Sequence, residues 1–211
     1  MTIKQLSFQN TAKEIIKNLE KRNMEGYFVE SSEDLRDLVL SMLKENATIS
    51  YGGSETLKET GLLEAIKKGD FQVIDRAKAN TEDERRKIYA DSVLSDYFFM
   101  SSNAITLDGE LVNIDGMGNR VACLIHGPKH VYIVAGMNKI TANIGDALNR
   151  VQNIATPPNG VRLNRQTPCA YVGHCENCLS PDCMCNQIVI TRHSGQTGRI
   201  KVFLVAEELG Y

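Results

Sequence analysis

The sequence has few of the features that mark several large classes of protein. No internal repeat and no low-complexity linker is visible in its 211 residues. The longest apolar runs, such as residues 131–135, are far too short to cross a bilayer. The first residues, Met-Thr-Ile-Lys-Gln-Leu-Ser, contain no apolar run of the kind found in signal peptides. We therefore expect a cytoplasmic protein that does not act in the membrane.

A strong charge of one sign is also missing. The chain carries 24 Lys and Arg against 26 Asp and Glu, which gives a formal net charge of −2 and a sequence pI near 6.1. No stripe of basic residues indicates nucleic-acid binding. The sequence contains neither a Walker loop nor the Gly-x-Gly-x-x-Gly fingerprint, so an NTP or NAD site is not supported. Nothing in the sequence indicates an oligomeric state.

The length and the 42% hydrophobic content are enough for one core, so residues 1–211 are expected to form a single domain. Apolar residues at helical spacing predict an N-terminal helix within residues 1–24. Strands and helices then alternate as far as residue 74, and hairpins dominate afterwards. This order predicts a three-layer α/β domain whose sheet is mixed but largely parallel. The predicted strands cover residues 26–30, 47–51, 71–74, 97–100, 104–106, 111–114, 121–126, 131–135, 187–192 and 200–205, with the last two paired.

Residues 101–122 are the most informative stretch. Two Asp-Gly pairs occur in it, and the first suits the turn of a hairpin because both residues tolerate positive φ. Polar side chains then crowd a glycine-containing segment between apolar residues, where Gly116 and Gly118 would allow a ligand close to the main chain. The alternative is an ordinary solvated turn. The candidate ligand-binding side chains here are Asn113, Asp115, Asn119 and Arg120.

A second glycine loop follows the strand predicted at residues 47–51. Its residues Gly52, Gly53, Ser54 and Thr56 precede a predicted helix, where exposed N–H groups and hydroxyls form an anion site. The alternative is a turn in which Ser54 only caps the helix.

Two further strand ends carry polar groups, namely Asp75 and Arg76, and Asn138 and Lys139. The carboxyl ends of parallel strands share one edge, where open α/β sheets bind their ligands. We therefore predict one cleft lined by both glycine loops, with Asp75 and Asn138 at its rim, for a small anionic metabolite. Arg120 would bind the anion, and replacing it would change fold stability little. The alternative for each residue is a surface charge or a local ion pair.

The strongest chemical signal is a cluster of cysteines. Five of the six lie between residues 169 and 185, with the spacing C-x5-C-x2-C-x4-C-x-C. A C-x2-C turn lets two thiolates reach one metal, and thiolates select zinc or iron–sulfur clusters. Buried free cysteines and disulfides are the alternatives. The sixth, Cys123, is expected to be a small buried hydrophobe.

Several of these motifs together resemble the lactate-utilization (LUD) domain family, over roughly residues 23–211. The matching stretches are Asn103-Ala-Ile-Thr, Asp108-Gly-Glu-Leu-Val-Asn-Ile-Asp-Gly, Gly118-Asn-Arg-Val-Ala, Gly52-Gly-Ser-Glu-Thr-Leu, Val134-Ala-Gly-Met-Asn-Lys-Ile and Glu207-Glu-Leu-Gly. The resemblance implies a fold like that of the glucosamine-phosphate deaminase, ribose-phosphate isomerase and CoA transferase-like group. It also implies a role in lactate oxidation beside iron–sulfur protein partners.

The resemblance further implies which cysteines bind a metal. The family pattern, T-P-C-x5-C-x2-C-x-S-P-x-R-x-C, maps onto Cys169, Cys175, Cys178 and Cys185. The sequence departs from it at Cys183, where the family more often has Arg, so Cys183 is expected to stay outside the site. The family link favours a [4Fe–4S] cluster within residues 167–186, and four thiolates would equally suit zinc.

Three functions follow from these observations. The chain is an accessory protein of lactate or related hydroxy-acid utilization, a stand-alone enzyme on a small carboxylated or phosphorylated metabolite, or a regulatory module that senses metal or redox state. The sequence identifies no substrate, reaction or catalytic residue.

Overall fold

The computed structural model describes residues 2–211, and helices and strands alternate regularly through its first half. The elements are α1 (Ile3–Lys21), β1 (Glu25–Val29), α2 (Ser32–Ser41), β2 (Thr48–Tyr51), α3 (Glu55–Glu59), α4 (Leu62–Lys68), β3 (Gln72–Ile74), α5 (Glu82–Val93) and β4 (Tyr97–Met100). Side-chain caps fix several starts: Thr2 and Thr81 each form a capping box at the beginning of α1 and α5.

The second half is less regular. Its elements are β5 (Ala104–Thr106), β6 (Leu111–Asp115), α6 (Asn119–Ile125), β7 (His130–Gly136), β8 (Ile140–Thr141), α7 (Ile144–Arg150), α8 (Thr156–Arg162), α9 (Pro168–Val172), β9 (Gln187–Thr191) and β10 (Ile200–Val205). A π-helical turn at Val151–Ala155 joins α7 to α8. Such turns are frequent at functional sites.

The strands form two sheets. Six strands in the order β1-β10-β7-β4-β2-β3 make a fully parallel sheet. The other four, in the order β8-β5-β6-β9, make a smaller mixed sheet in which β5 and β6 form the predicted hairpin. Because all six strands of the large sheet are parallel, their carboxyl ends lie along one edge, and this edge positions the site described below.

Both faces of the large sheet are buried, as expected for a parallel sheet. Alternate residues of each strand enter different cores, so that Phe98 and Ile133 pack beneath α1 while Phe99 and Tyr132 pack beneath α2 and α4. The predicted class, a single three-layer α/β domain with a largely parallel sheet, is confirmed. Within residues 2–211, no helix is both long and apolar enough to cross a membrane.

Two predictions about the strands are wrong. Residues 121–126 were expected to be a strand, but residues 121–125 belong to α6, whose Val121 and Leu124 are buried while Ile125 is exposed. A short apolar run does not distinguish a strand from a helix turned toward the core. The strands near the C-terminus were expected to pair with each other. Instead β9 pairs with β6 in the small sheet and β10 lies between β1 and β7 in the large one.

Candidate functional site

A cavity of about 320 Å³ opens at the carboxyl edge of the large sheet. Both predicted glycine loops reach it, together with the end of β4, the π-helical turn, α8 and the cysteine-rich segment. Its lining residues are Gly53, Ser54, Glu55, Thr56, Arg76, Tyr89, Ser101, Ser102, Asn103, Ile114, Asp115, Gly116, Met117, Asn119, Arg120, Lys139, Ala155, Thr156, Asn159, Arg162, Leu163, Arg165, Met184 and Tyr211. We call this space the cationic cavity, for the charges described below.

The first glycine loop supplies one wall of the cationic cavity. Ser54 caps α3 by accepting a hydrogen bond from the Leu57 N–H at 3.3 Å. This contact is the helix cap that the sequence offered as the alternative to an anion site. Thr56 is buried, and its hydroxyl donates to the Leu209 carbonyl. Gly53 lies against an arginine, because a Cβ on it would be 3.0 Å from Arg76 Nη2. Gly52 does not line the cavity.

Arg120 connects the second glycine loop to the end of β4. Its guanidinium donates to the Ser101 and Ile114 carbonyls and to the side-chain oxygens of Asn113 and Asn103, at 2.6 to 3.2 Å. Its Nε lies 3.4 Å from Asp115 Oδ2. The four N–H groups of Nη1 and Nη2 therefore all donate within the chain, and Nε faces a carboxylate. Arg120 fixes the geometry of the cavity, and we now expect its removal to destabilise the fold.

The neighbours of Arg120 in the sequence have different positions. Asn113 is fully buried and its amide donates to Ser102 Oγ, so it supports the wall from behind. Asp115 is also buried and accepts a hydrogen bond from the Gly118 N–H at 2.8 Å. Asn119 lines the cavity and is half-buried. Of these predicted residues, Asn119 is best placed to touch a ligand.

Lys139 is the most unusual side chain of the cationic cavity. It follows β7 in a short 3-10 turn and is only 4% exposed. Its ammonium donates to Thr56 Oγ1 at 2.8 Å and to Ser101 Oγ at 3.0 Å. Burial, together with the nearby charges of Arg150 and Arg120, lowers the pKa of Lys139 to about 7, although Glu59 opposes the shift. No ion pair between Lys139 and a carboxylate occurs within residues 2–211.

The other predicted strand-end residues divide between the cavity and its surroundings. Arg76 is exposed and lines the cavity. Asp75 does not line it: one oxygen caps the following turn at Ala77 N, and the other lies 3.3 Å from Lys67 Nζ. Asn138 accepts a hydrogen bond from the Leu209 N–H and lines a separate cavity nearby.

The charge of the cavity walls is strongly positive. Five cationic side chains line it, against the two carboxylates of Glu55 and Asp115. Arg162 pairs with Glu55 at 3.0 Å and Arg165 pairs with Asp182 at 2.6 Å. In the ion pairs described for residues 2–211, only Arg76 and Lys139 of the five have no carboxylate partner.

Sequence reasoning missed several residues of this cavity. Ser101 is a polar residue directly after the buried strand β4. The rule that selected the other strand ends could therefore have identified it. Arg162 and Arg165 belong to the α8 region, which reaches the site through the π-helical turn. No local sequence pattern predicts that the α8 region lies beside the cavity.

The cysteine-rich segment closes one side of the cationic cavity. Cys169 is buried in α9, and residues 173–186 contain no helix or strand. Met184 lines the cavity, and its main chain lies 3.5 Å from the position of a Cβ on Gly116. The Asp182 carboxylate accepts hydrogen bonds from Arg165 and from the Gln166 N–H.

All six cysteines are free thiols. The Cys185 N–H donates to the Cys183 sulfur at 3.3 Å. Burial and the nearby thiols of Cys183 and Cys169 raise the pKa of Cys185 to about 12, although a hydrogen bond with Thr156 opposes the shift. The structure thus places Cys183 beside Cys185. In the part of the chain described, no three His, Cys, Asp or Glu side chains are grouped as metal ligands, so the four predicted thiols do not converge here.

Cys123 occupies the position expected of it. It is 2% exposed in the core between α6 and the large sheet, and burial raises the pKa of its thiol to about 11. This cysteine takes no part in the cavity.

Comparisons with known proteins agree with the motifs. A family model described as the LUD domain matches residues 12–205, which confirms the resemblance predicted from the sequence. The chain is similar in structure to a DUF162 family protein from Deinococcus radiodurans, with 12% sequence identity, a TM-score of 0.55, and 94% of this chain and 98% of that chain covered. That likeness shows the fold alone.

A further structural match is weaker. It is to eIF2B delta from Chaetomium thermophilum, with 16% identity and a TM-score of 0.38, and it covers 56% of this chain and 50% of that chain. A score this low supports no inference. A comparison with curated proteins finds no match.

Proposed function

The chain belongs to the LUD domain family, and we propose that it acts in the utilization of lactate or a related hydroxy acid by binding a small anionic metabolite in the cationic cavity. One observation carries the proposal: Arg76 and Lys139 both line the cavity, and neither has a carboxylate partner among the ion pairs described. A guanidinium binds carboxylate and phosphate with charge-assisted hydrogen bonds. The volume of about 320 Å³ suits a small molecule.

Charge is the property that selects such a ligand. Glu55 and Asp115 are the two acidic side chains of the lining, and both are already paired with arginines. An entering anion therefore meets the unpaired charge of Arg76, and a Lys139 side chain that no carboxylate side chain neutralises.

The test is a calorimetric titration of the whole chain with lactate, pyruvate and inorganic phosphate, and with glycerol as an uncharged comparison. We expect at least one anion to bind and glycerol not to bind. Arg76→Ala should weaken anion binding by about 10-fold or more, as the loss of a charged hydrogen bond does. Arg192→Ala is the matched control, because Arg192 is an exposed arginine beyond the far end of β9. Equal affinities of the two variants would contradict the proposal.

An accessory role beside iron–sulfur protein partners accounts for the family context and the cysteines together. A stand-alone enzyme acting on the same anion is the alternative. Turnover of lactate by the purified chain with an artificial electron acceptor would favour the enzyme. Binding without turnover, followed by activity when iron–sulfur partners are added, would favour the accessory role.

We also propose that residues 167–186 bind a [4Fe–4S] cluster or zinc through Cys169, Cys175, Cys178 and Cys185. The support is the density of thiols in a segment that has no regular structure after α9. Metal binding would supply the folding energy that such a polar segment lacks. A cluster would transfer electrons, whereas zinc would be structural or would serve a metal-sensing regulatory module.

This second proposal is tested by metal and sulfide content after anaerobic reconstitution, because an exposed cluster can be lost in air. Cys178→Ser should abolish binding, while the buried Cys123→Ser control should bind as wild type does. Cys183→Ser is informative because Cys183 lies beside Cys185. If Cys183→Ser abolishes binding and Cys178→Ser does not, the predicted ligand set is wrong.

A further inference from the structure

Lys139 is a buried amine beside two hydroxyl groups. The end of β7 and the short turn after it bring its nitrogen to Thr56 and Ser101, which belong to different elements of the carboxyl edge. Each hydroxyl also has a second partner, the Leu209 carbonyl for Thr56 and the Ser102 carbonyl for Ser101. The nitrogen is thus fixed in one place against the cationic cavity.

The environment of Lys139 shifts its equilibrium toward the neutral amine. The charges that act on it are those of Arg150 and Arg120, which lower its pKa, and of Glu59 in α3, which opposes them. Burial and the two arginines disfavour a further positive charge at this point. With a pKa of about 7, a large fraction of the side chain has a free lone pair at neutral pH, whereas an exposed lysine has almost none. A desolvated lysine near other cations is a recognised way to activate an amine nucleophile.

The amine can react with an electrophile that the cavity admits. The cavity favours anions, and a neutral amine condenses reversibly with the carbonyl carbon of an aldehyde or ketone. A 2-oxo carboxylate combines the two properties and is also the oxidation product of a 2-hydroxy acid. We propose that Lys139 forms an imine with a 2-oxo carboxylate bound in the cationic cavity, an inference that rests on the proposed function and names its substrate class.

The reaction needs no oxidant, reductant or further reactant. The Nζ lone pair attacks the carbonyl carbon, the carbonyl oxygen gains a proton, and the nitrogen loses one to give a carbinolamine. Loss of that hydroxyl as water then leaves a C=N bond. The hydroxyls of Ser101 and Thr56, at 3.0 and 2.8 Å from the nitrogen, are placed to pass protons at this step. The carboxylate of the bound acid would meet the positive charge of Arg76.

The experiment is reductive trapping of the full chain with pyruvate and sodium cyanoborohydride, followed by digestion and mass spectrometry. A trapped imine adds the mass of pyruvic acid less one water plus two hydrogen atoms. We expect this adduct at Lys139 well before it appears at exposed lysines. Lys139→Met and Lys139→Arg should lose the fast adduct, and the exposed-lysine control Lys44→Met should keep it. Circular dichroism verifies the fold of each variant, and lactate, which has no carbonyl group, should give no adduct.

The outcomes separate this inference from the proposed function. Fast trapping at Lys139 supports the inference. Adducts spread evenly over exposed lysines, or an unchanged adduct yield in both Lys139 variants, would overturn it. If calorimetry still shows that lactate and pyruvate bind and that Arg76→Ala weakens both, only the imine is wrong. If no anion binds and no adduct forms, the proposed function fails as well.

Discussion

Two walls of the cationic cavity are built in opposite ways. The wall at residues 101–120 is fixed by buried polar contacts, because Arg120 donates four hydrogen bonds within the chain and its Nε faces Asp115. The wall at residues 173–186 has no helix or strand, and exposed side-chain contacts such as Arg165–Asp182 connect it to α8 and α9. The first wall should therefore be rigid, and the second should open at a much lower cost in free energy.

The difference has a consequence for function. A rigid wall holds Ser101 at a fixed distance from Lys139, which precise chemistry requires. A loosely attached wall can admit a ligand, and it can also rearrange its cysteines around a metal.

The largest effect is expected for Arg120→Ala. The variant loses five interactions and leaves Asp115 buried without its cation, which should lower the free energy of unfolding by about 3 to 5 kcal/mol. Urea denaturation measures the loss, with exposed Arg192→Ala as the control at nearly wild-type stability. A loss below about 1 kcal/mol, the range of an exposed ion pair, would show that this wall is not fixed as described.

Gly136→Ala tests the junction between β7 and the C-terminal residues that support Lys139. A Cβ at this position would lie 2.6 Å from the Glu207 carbonyl oxygen and 2.7 Å from the Leu209 nitrogen. Because main-chain atoms cannot move away easily, we expect the free energy of unfolding to fall by about 1 to 3 kcal/mol. Gly195→Ala is the matched control, because nothing lies within 4 Å of a Cβ there. Equal melting temperatures for both variants would contradict the close packing.

Lys139→Met should stabilise the fold by about 1 to 2 kcal/mol near pH 6, because it removes a buried charge at the expense of two hydrogen bonds. In wild type the folded pKa is about 7 and lies below the unfolded value. The unfolded chain therefore binds more protons above pH 7, and wild-type stability rises with pH until lysine deprotonates in both states. The advantage of the variant should shrink toward pH 10. A constant advantage in denaturation curves between pH 6 and 10 would contradict the depressed pKa.

The smallest effect on global stability is expected for Arg165→Ala. It removes an exposed ion pair with Asp182, so the free energy of unfolding should fall by less than about 1 kcal/mol. Hydrogen exchange within residues 173–186 should nevertheless become faster, while residues 101–120 stay protected. Faster exchange in both walls would show that they open as one unit.

Much of the fold followed from local patterns. Alternation of apolar runs with capped helices identified the parallel sheet, and the Asp-Gly pair at Asp108 identified the hairpin. The exceptions have physical causes. Nearly all of residues 121–126 are apolar, so their sequence shows neither the period of a helix nor that of a strand. The separation of β9 from β10 depends on long-range pairing with β6 and β7, which no local pattern encodes.

The site was predictable in outline. The rule that strand ends share one edge identified Arg76, Asn119 and Lys139 as cavity residues. It did not reveal that the donors of Arg120 are all used within the chain, or that Asn113 lies behind the wall. Burial and partner atoms decide those roles, and a single sequence does not contain them. For the same reason Lys139 was expected only as a polar strand-end group, although its isolation from carboxylates makes it chemically distinct.

A crystal structure of the chain grown with pyruvate would show directly whether the cationic cavity binds a 2-oxo acid. We expect the acid to occupy this cavity, with its carboxylate in contact with Arg76 and its carbonyl carbon next to Lys139 Nζ. Pyruvate bound elsewhere, with only solvent between Arg76 and Lys139, would contradict this expectation.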